Sequence, residues 1–202
     1  MSDVAPPGRS VPAAGYFAYL ELPEKHRYCG GLLVVDRYSM PLEFRATEPV
    51  TATAVQRMLY GAVWFHALIC EVIGESLWNA TEHKPPLILI ADERLLSVVR
   101  PDDVPAALVD REGSVSRVQW PGNAPVDVKE TSGAGGEDPD GTGAVLSAIE
   151  EFRTVFDIAE PFARVEALLG EMLSRMTDRT DRDAARAGLV AQIGARTGRA
   201  EE

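Results

Sequence analysis

The sequence predicts an α+β fold: an antiparallel sheet of four to five strands packed by a long central helix, with further helices toward the C-terminal end. Three observations carry this. Residues 28–50 read as two strands joined by a polar turn that run straight into an apolar helical stretch. Within them, Leu32-Leu33-Val34-Val35 is apolar at every position, the pattern of a strand covered on both faces. From Val55 to Leu77 apolar residues recur at helical spacing on more than one side, so that helix must bury more than one side.

The elements follow in order. Residues 1–14 are rich in Pro, Ala, Gly and Ser without periodicity and are expected as a disordered leader. Tyr16 to Leu22 is aromatic and aliphatic, ends at Pro23-Glu24-Lys25, and reads as a first strand. Tyr28 to Val35 is the second, Asp36 to Pro41 the turn. Leu42, Phe44 and Ala46 alternate with Glu43, Arg45 and Thr47, as in a strand with one wet face. Thr51 or Thr53 can cap the next helix, and Thr53-Ala-Val-Gln56 has capping-box spacing, in which hydroxyl and amide satisfy each other's backbone donors. The helix then extends to Trp78 along the stripe Val55, Met58, Leu59, Ala62, Val63, His66, Ile69, Cys70, Ile73, Leu77.

Leu87 to Ala91, bounded by Pro and Asp, suits a fourth strand, Leu95 to Val99 can continue or pair with it, and Val115 to Trp120 follows a Glu112-Gly113 turn as a further strand. The α+β unit is therefore drawn over 15–120. Residues 121–143 are Gly- and Pro-rich, acidic and poor in apolar residues, the composition of a flexible linker. Over 144–202 the pattern is helical. Val145, Ile149, Phe152 and Phe156 share a face, Pro161 can open a helix carrying Val165, Leu168, Leu169, Met172 and Met176, and Asp181 or Asp183 can cap a last helix with Leu189, Val190 and Ile193. This order of elements resembles that of longin and roadblock-type domains over about residues 15–120. The resemblance implies a five-stranded antiparallel sheet with helices on its faces, and a dimerisation or scaffold role of the kind such domains often play.

Composition narrows the classes of function. The longest apolar run, Leu59 to Leu77, is interrupted by His66, Glu71, Gly74 and Glu75, so no membrane span is expected. The first ten residues lack a basic then apolar signal pattern, and a cytoplasmic location is expected. A net charge of −11 argues against a broad electrostatic grip on a phosphate backbone, and nucleic acid is expected to be an unlikely direct partner. Arg concentrates after Arg153, interleaved with Asp and Glu as on a solvated helix face. Two cysteines are too few for a disulfide scaffold.

Among chemistry-bearing residues, His26-x-x-Cys29 and His66-x-x-x-Cys70 form the sharpest set. Residues 66 and 70 lie one turn apart on a helix, and an imidazole and thiolate from each segment would complete a tetrahedral zinc site. Against this stands ordinary packing, since cysteine is among the most buried residue types. Cys29 beside a histidine is also a thiolate pair in outline, but the Gly30-Gly31 that follows reads as a close backbone approach rather than an oxyanion hole. The nucleophile elbow, phosphate-binding loop and His-Glu-x-x-His signatures are absent. Glu71 with Glu75, and Asp92-Glu93-Arg94 at a strand exit, are carboxylate candidates that equally suit a solvated surface. Trp64, Phe65 and Leu68 on the central helix, with Tyr38 and Met40 at the hairpin tip, would form a partner surface if left uncovered. The resulting expectation is a non-catalytic adaptor or accessory subunit that docks onto a protein partner or forms a homodimer. No cofactor is required by this reading. The alternative is a zinc protein or enzyme using His26, Cys29, His66 and Cys70.

Overall fold

The eight strands join one mixed sheet whose two faces are covered by separate helical layers. The structure, a computed structural model, describes residues 13–22, 27–51, 53–98, 100–101, 103–128 and 141–176. The strands are β1 (Ala13–Leu22), β2 (Arg27–Asp36), β3 (Pro41–Ala46), β4 (Val50–Thr51), β5 (Ile88–Ile90), β6 (Ala106–Val109), β7 (Val115–Gln119) and β8 (Val126–Asp127). Their order is β3-β2-β1-β5-β6-β7-β8, with β4 also pairing to β2. The antiparallel sheet of four to five strands expected from the sequence is thus corrected. β1 to β3 do form a meander, but β5 returns parallel beside β1, with Phe17 opposite Ile90, and β6 runs parallel to β5. A longin or roadblock sheet does not describe this arrangement.

The unbroken apolar run of β2 is explained by two-sided cover. Leu33 and Val35 enter one core with Tyr16, Leu89 and Val118, whereas Leu32 and Val34 enter the other with Phe17, Ile88 and Ile90. The first core is closed by α3 (Thr142–Arg153) and by α4, the helix over 160–176, through Ile149, Phe152, Phe162, Val165 and Leu169. The second lies under the helical unit that joins β4 to β5. Gly30 and Gly31 let both layers approach closely. A methyl group at Gly30 would lie 2.3 Å from Ile73 Cγ2, and one at Gly31 would lie 3.0 Å from Val165 Cγ1 on the opposite face.

That joining unit is not the single helix the periodicity predicts. It begins with α1 (Ala54–Tyr60), whose Thr53–Gln56 capping box is fully formed. At Gly61, φ 53°, the chain leaves helical geometry, and the arms Ala54–Val63 and His66–Ala80 meet at 94°. The second arm opens as a π-helix over His66–Ile73 and ends as α2 (Gly74–Ala80). Because of the bend, only this arm seats on the sheet, through Ile69, Cys70, Ile73 and Leu77, while Val55, Met58, Leu59 and Val63 of the first stay exposed.

The β5–β6 connection completes the frame. Of Leu95 to Val99, expected as strand, Leu95 ends a 3₁₀ turn over Glu93–Leu95, Leu96 to Val98 follow it outside any strand, and Val99 lies outside the described residues. The loop is organised by Arg100, whose buried guanidinium donates to the carbonyls of Leu96, Val98, Val104 and Gln119. Each of these acceptors thereby gains a charge-assisted bond. The C-terminal stripe Leu189, Val190 and Ile193 lies outside the described residues.

Candidate functional site

Three parallel strands end at the same edge of the sheet, and the cleft lies there. Past the last paired residues, β1 continues through Ala18 to Glu21, β5 into Ala91 and Asp92, and β6 into Asp110 and Arg111. With the first turns of α4, which contribute Phe162, Ala163 and Glu166, they enclose an open cavity of about 520 Å³. The carboxyl edge of parallel strands is where ligands bind in open α/β sheets, because the strand ends and following loops leave a crevice there. Phe17, Val109 and Phe162 supply apolar lining; Tyr19, Glu21, Asp92, Asp110, Arg111 and Glu166 supply polar groups.

The polar groups differ in their freedom. The Tyr19 hydroxyl donates to Asp92 Oδ2 at 3.1 Å, and Arg94 closes on the same carboxylate from Nε at 3.1 Å and from Nη2 at 2.7 Å. Burial pushes Asp92 toward neutrality, but the Arg94 side-chain and backbone hydrogen bonds outweigh it and hold the carboxyl below its ordinary range. Burial, followed by the Asp92 charge, pushes the Tyr19 phenol up to about 12, so it remains a donor at neutral pH. Arg94 also lies 4.3 Å above the Phe65 ring, and Phe65 meets Tyr19 edge-on with centroids 5.3 Å apart. Glu21 accepts from the Tyr28 hydroxyl at 2.8 Å. Asp110 caps the β6–β7 turn, Oδ1 accepting from the backbone N–H of Glu112 and Ser114.

The structure separates the residues singled out in the sequence. Cys29 is buried in the core beneath α3 and α4, and Cys70 in the core on the other face of the sheet. His26 lies outside the described residues. The four-residue zinc set is therefore not brought together, and among the described residues no group of three or more His, Cys, Asp and Glu could hold a metal ion. Burial pushes both thiols up, away from the thiolate. Trp64, Phe65 and Leu68 are half-buried, Trp64 against Tyr28 and Phe65 against Tyr19, so they extend the core instead of forming an open patch. Tyr38 and Met40 are exposed at 56% and 61% on the β2–β3 hairpin, whose Ser39 is tied to α4 by Arg164. Of the carboxylate candidates, Asp92 reaches the cleft. Tyr19, Glu21, Asp110 and Glu166 were not singled out, because they converge only once β1, β5 and β6 lie parallel.

No family model and no curated protein matches the sequence. Among solved structures, the chain is similar to human endonuclease V, at 11% identity and a TM-score of 0.40 over 83% of this chain and 86% of that one. It is also similar to endonuclease V of Ciona intestinalis bound to a 23mer DNA containing an inosine followed by a ribo-adenosine, at 11% identity and a TM-score of 0.44 over 82% and 87%. A third is endonuclease V of Streptomyces avermitilis, at 13% identity and a TM-score of 0.44 over 88% of each chain. At these identities the likeness bears on the fold alone. The expectations of a non-catalytic adaptor and of nucleic acid as an unlikely partner run against these comparisons, in which the similar chains are endonucleases and the Ciona chain is bound to DNA.

Proposed function

We propose that the chain binds nucleic acid by seating one unpaired purine in the carboxyl-edge cleft. The observation that carries this is the pairing of a nucleoside-sized cavity with carboxylate acceptors at its mouth, Glu21 and Asp92, beside the ring of Tyr19. A carboxylate is an acceptor only, so it suits a base edge that presents N–H. A 6-oxopurine such as hypoxanthine or guanine carries N1–H on that edge, whereas adenine carries a lone pair there and meets the carboxylate with repulsion. Asp92 is kept ionised by Arg94 and so stays an acceptor. Arg111 at the rim and the exposed face of Arg94 supply positive charge for the flanking phosphates. With so few cations and a net charge of −11, binding draws little on counterion release.

The inosine-containing DNA of the neighbouring structures supplies the probe. Fluorescence anisotropy with a single strand carrying one inosine, against the same strand carrying adenosine, is expected to show a preference of roughly tenfold for inosine, the discrimination of one good base-edge contact. Glu21→Gln and Asp92→Asn should shrink that preference while leaving the fold intact. Equal affinity for the two strands would falsify the reading.

A further inference from the structure

Outside the cleft, the π-helix and the β5–β6 loop bring together three side chains that neither the core nor the cleft uses. Ser97 Oγ lies 3.2 Å from His66 Nδ1, and His66 Nε2 lies 3.4 Å from Glu71 Oε1. His66 and Glu71 are five residues apart. In an α-helix that spacing turns side chains away from each other, but the wider π turn over His66–Ile73 sets residues i and i+5 on one face. π-Helical turns often mark functional sites for this reason. All three side chains are open to solvent.

We propose that Ser97, His66 and Glu71 form a nucleophilic serine site acting on small acyl esters. Glu71 holds a proton on Nε2 and so leaves Nδ1 as the lone pair facing the Ser97 hydroxyl, the relation of base to orienting carboxylate that activates a serine. Ser97 Oγ adds to the ester carbonyl carbon while its proton passes to Nδ1. The tetrahedral adduct then collapses, the C–O bond to the alcohol breaks, and the alcohol departs with that proton, leaving Ser97 acylated. Water, giving its proton to the same nitrogen, releases the carboxylic acid and restores the hydroxyl. Cys70 is the neighbouring thiol, 3.9 Å from Ser97 Oγ, but it is fully buried and donates to the Arg94 carbonyl at 3.3 Å, so the hydroxyl is the accessible nucleophile.

The test uses the full chain and a fluorophosphonate probe, with the adduct located by peptide mass mapping and turnover followed with p-nitrophenyl acetate. The expected result is one adduct, on Ser97, absent in Ser97→Ala and formed roughly a hundredfold more slowly in His66→Gln, with a smaller slowing in Glu71→Gln. Circular dichroism checks that these surface variants remain folded. No adduct on the folded wild type, an adduct only elsewhere, or an adduct on Ser97 that forms as fast in His66→Gln overturns the proposal.

Discussion

Arg94 and Arg100 lie six residues apart in the same connection, and the protein uses them in opposite ways. Arg100 is buried and gives its donors to four backbone carbonyls, with no carboxylate among its hydrogen-bond acceptors in the described residues. Arg94 is exposed and gives its donors to the Asp92 side chain and the Tyr19 hydroxyl. The difference separates scaffold from site. A side chain that satisfies backbone groups fixes where the chain runs, and its loss leaves several buried acceptors unpaired. A side chain that satisfies another side chain in water fixes only a charge, and its loss is largely made good by solvent.

The sharpest way to break this comparison is Arg100→Met, which keeps the stem and removes the donors. It should cost about 3–5 kcal/mol in denaturant unfolding, because four carbonyls lose a charge-assisted bond in a buried setting. A loss below 1 kcal/mol would show that water replaces the guanidinium as easily there as at the surface. Burial lowers the Arg100 pKa to about 10, so the cation persists at neutral pH and the argument from charge-assisted bonds holds.

Glu43 extends the same test to an acid. It accepts from the backbone N–H of Glu82 at 2.9 Å and of His83 at 2.7 Å, and pairs with Arg45. Burial pushes its pKa up, but the backbone bonds from His83 and Glu82 and the Arg45 contact bring it down to about 2 from an ordinary 4.5. A depressed carboxylate pKa stabilises the fold above the unfolded value and ceases to do so below the folded one. Stability measured by thermal melts should therefore fall as pH drops from about 4.5 to about 2, and Glu43→Gln should flatten that part of the profile. An unchanged acid limb in the variant would assign the slope to other carboxylates.

Smaller effects belong to the cleft. Tyr19→Phe removes one hydrogen bond to Asp92 and should cost about 0.5–1.5 kcal/mol, read by the same unfolding curves. Arg94→Ala should cost less, at most about 1 kcal/mol as for an exposed ion pair, yet it should raise the pKa of Asp92 in a carboxylate NMR titration. If Arg94→Ala destabilised the fold as much as Arg100→Met, the two arginines would not differ in kind.

Local patterns were legible where a residue's neighbours in sequence are its neighbours in space. The capping box at Thr53 and Gln56, the hairpin around Asp36 and the two-faced burial of Leu32 to Val35 all follow from short-range spacing. Strand order did not. Nothing in the alternation of β1 says that β5 will lie beside it, although the unbroken Leu87–Ile90 run is the pattern of a parallel strand buried on both faces and was the available signal. The helix bend was marked only by Gly61, which a helical stripe tolerates on paper. The cleft inherits the same limit: Asp92 was visible as a charged strand exit, but Glu21, Asp110 and Glu166 are scattered along the chain and meet only through the parallel register.

Gly30 and Gly31 carry a consequence for the tolerance of both sites to change. Where β2 presents no side chain, each helical layer rests on bare peptide, and the strand serves as the datum from which the two layers are gauged. Ile73 belongs to the π-helix that carries His66 and Glu71, and Val165 to the helix that carries Phe162 and Glu166 to the cleft. A bulkier residue at either position runs into Ile73 on one face or Val165 on the other, so that side chain or the helix that carries it must shift, and the groups at the rim shift with the helix.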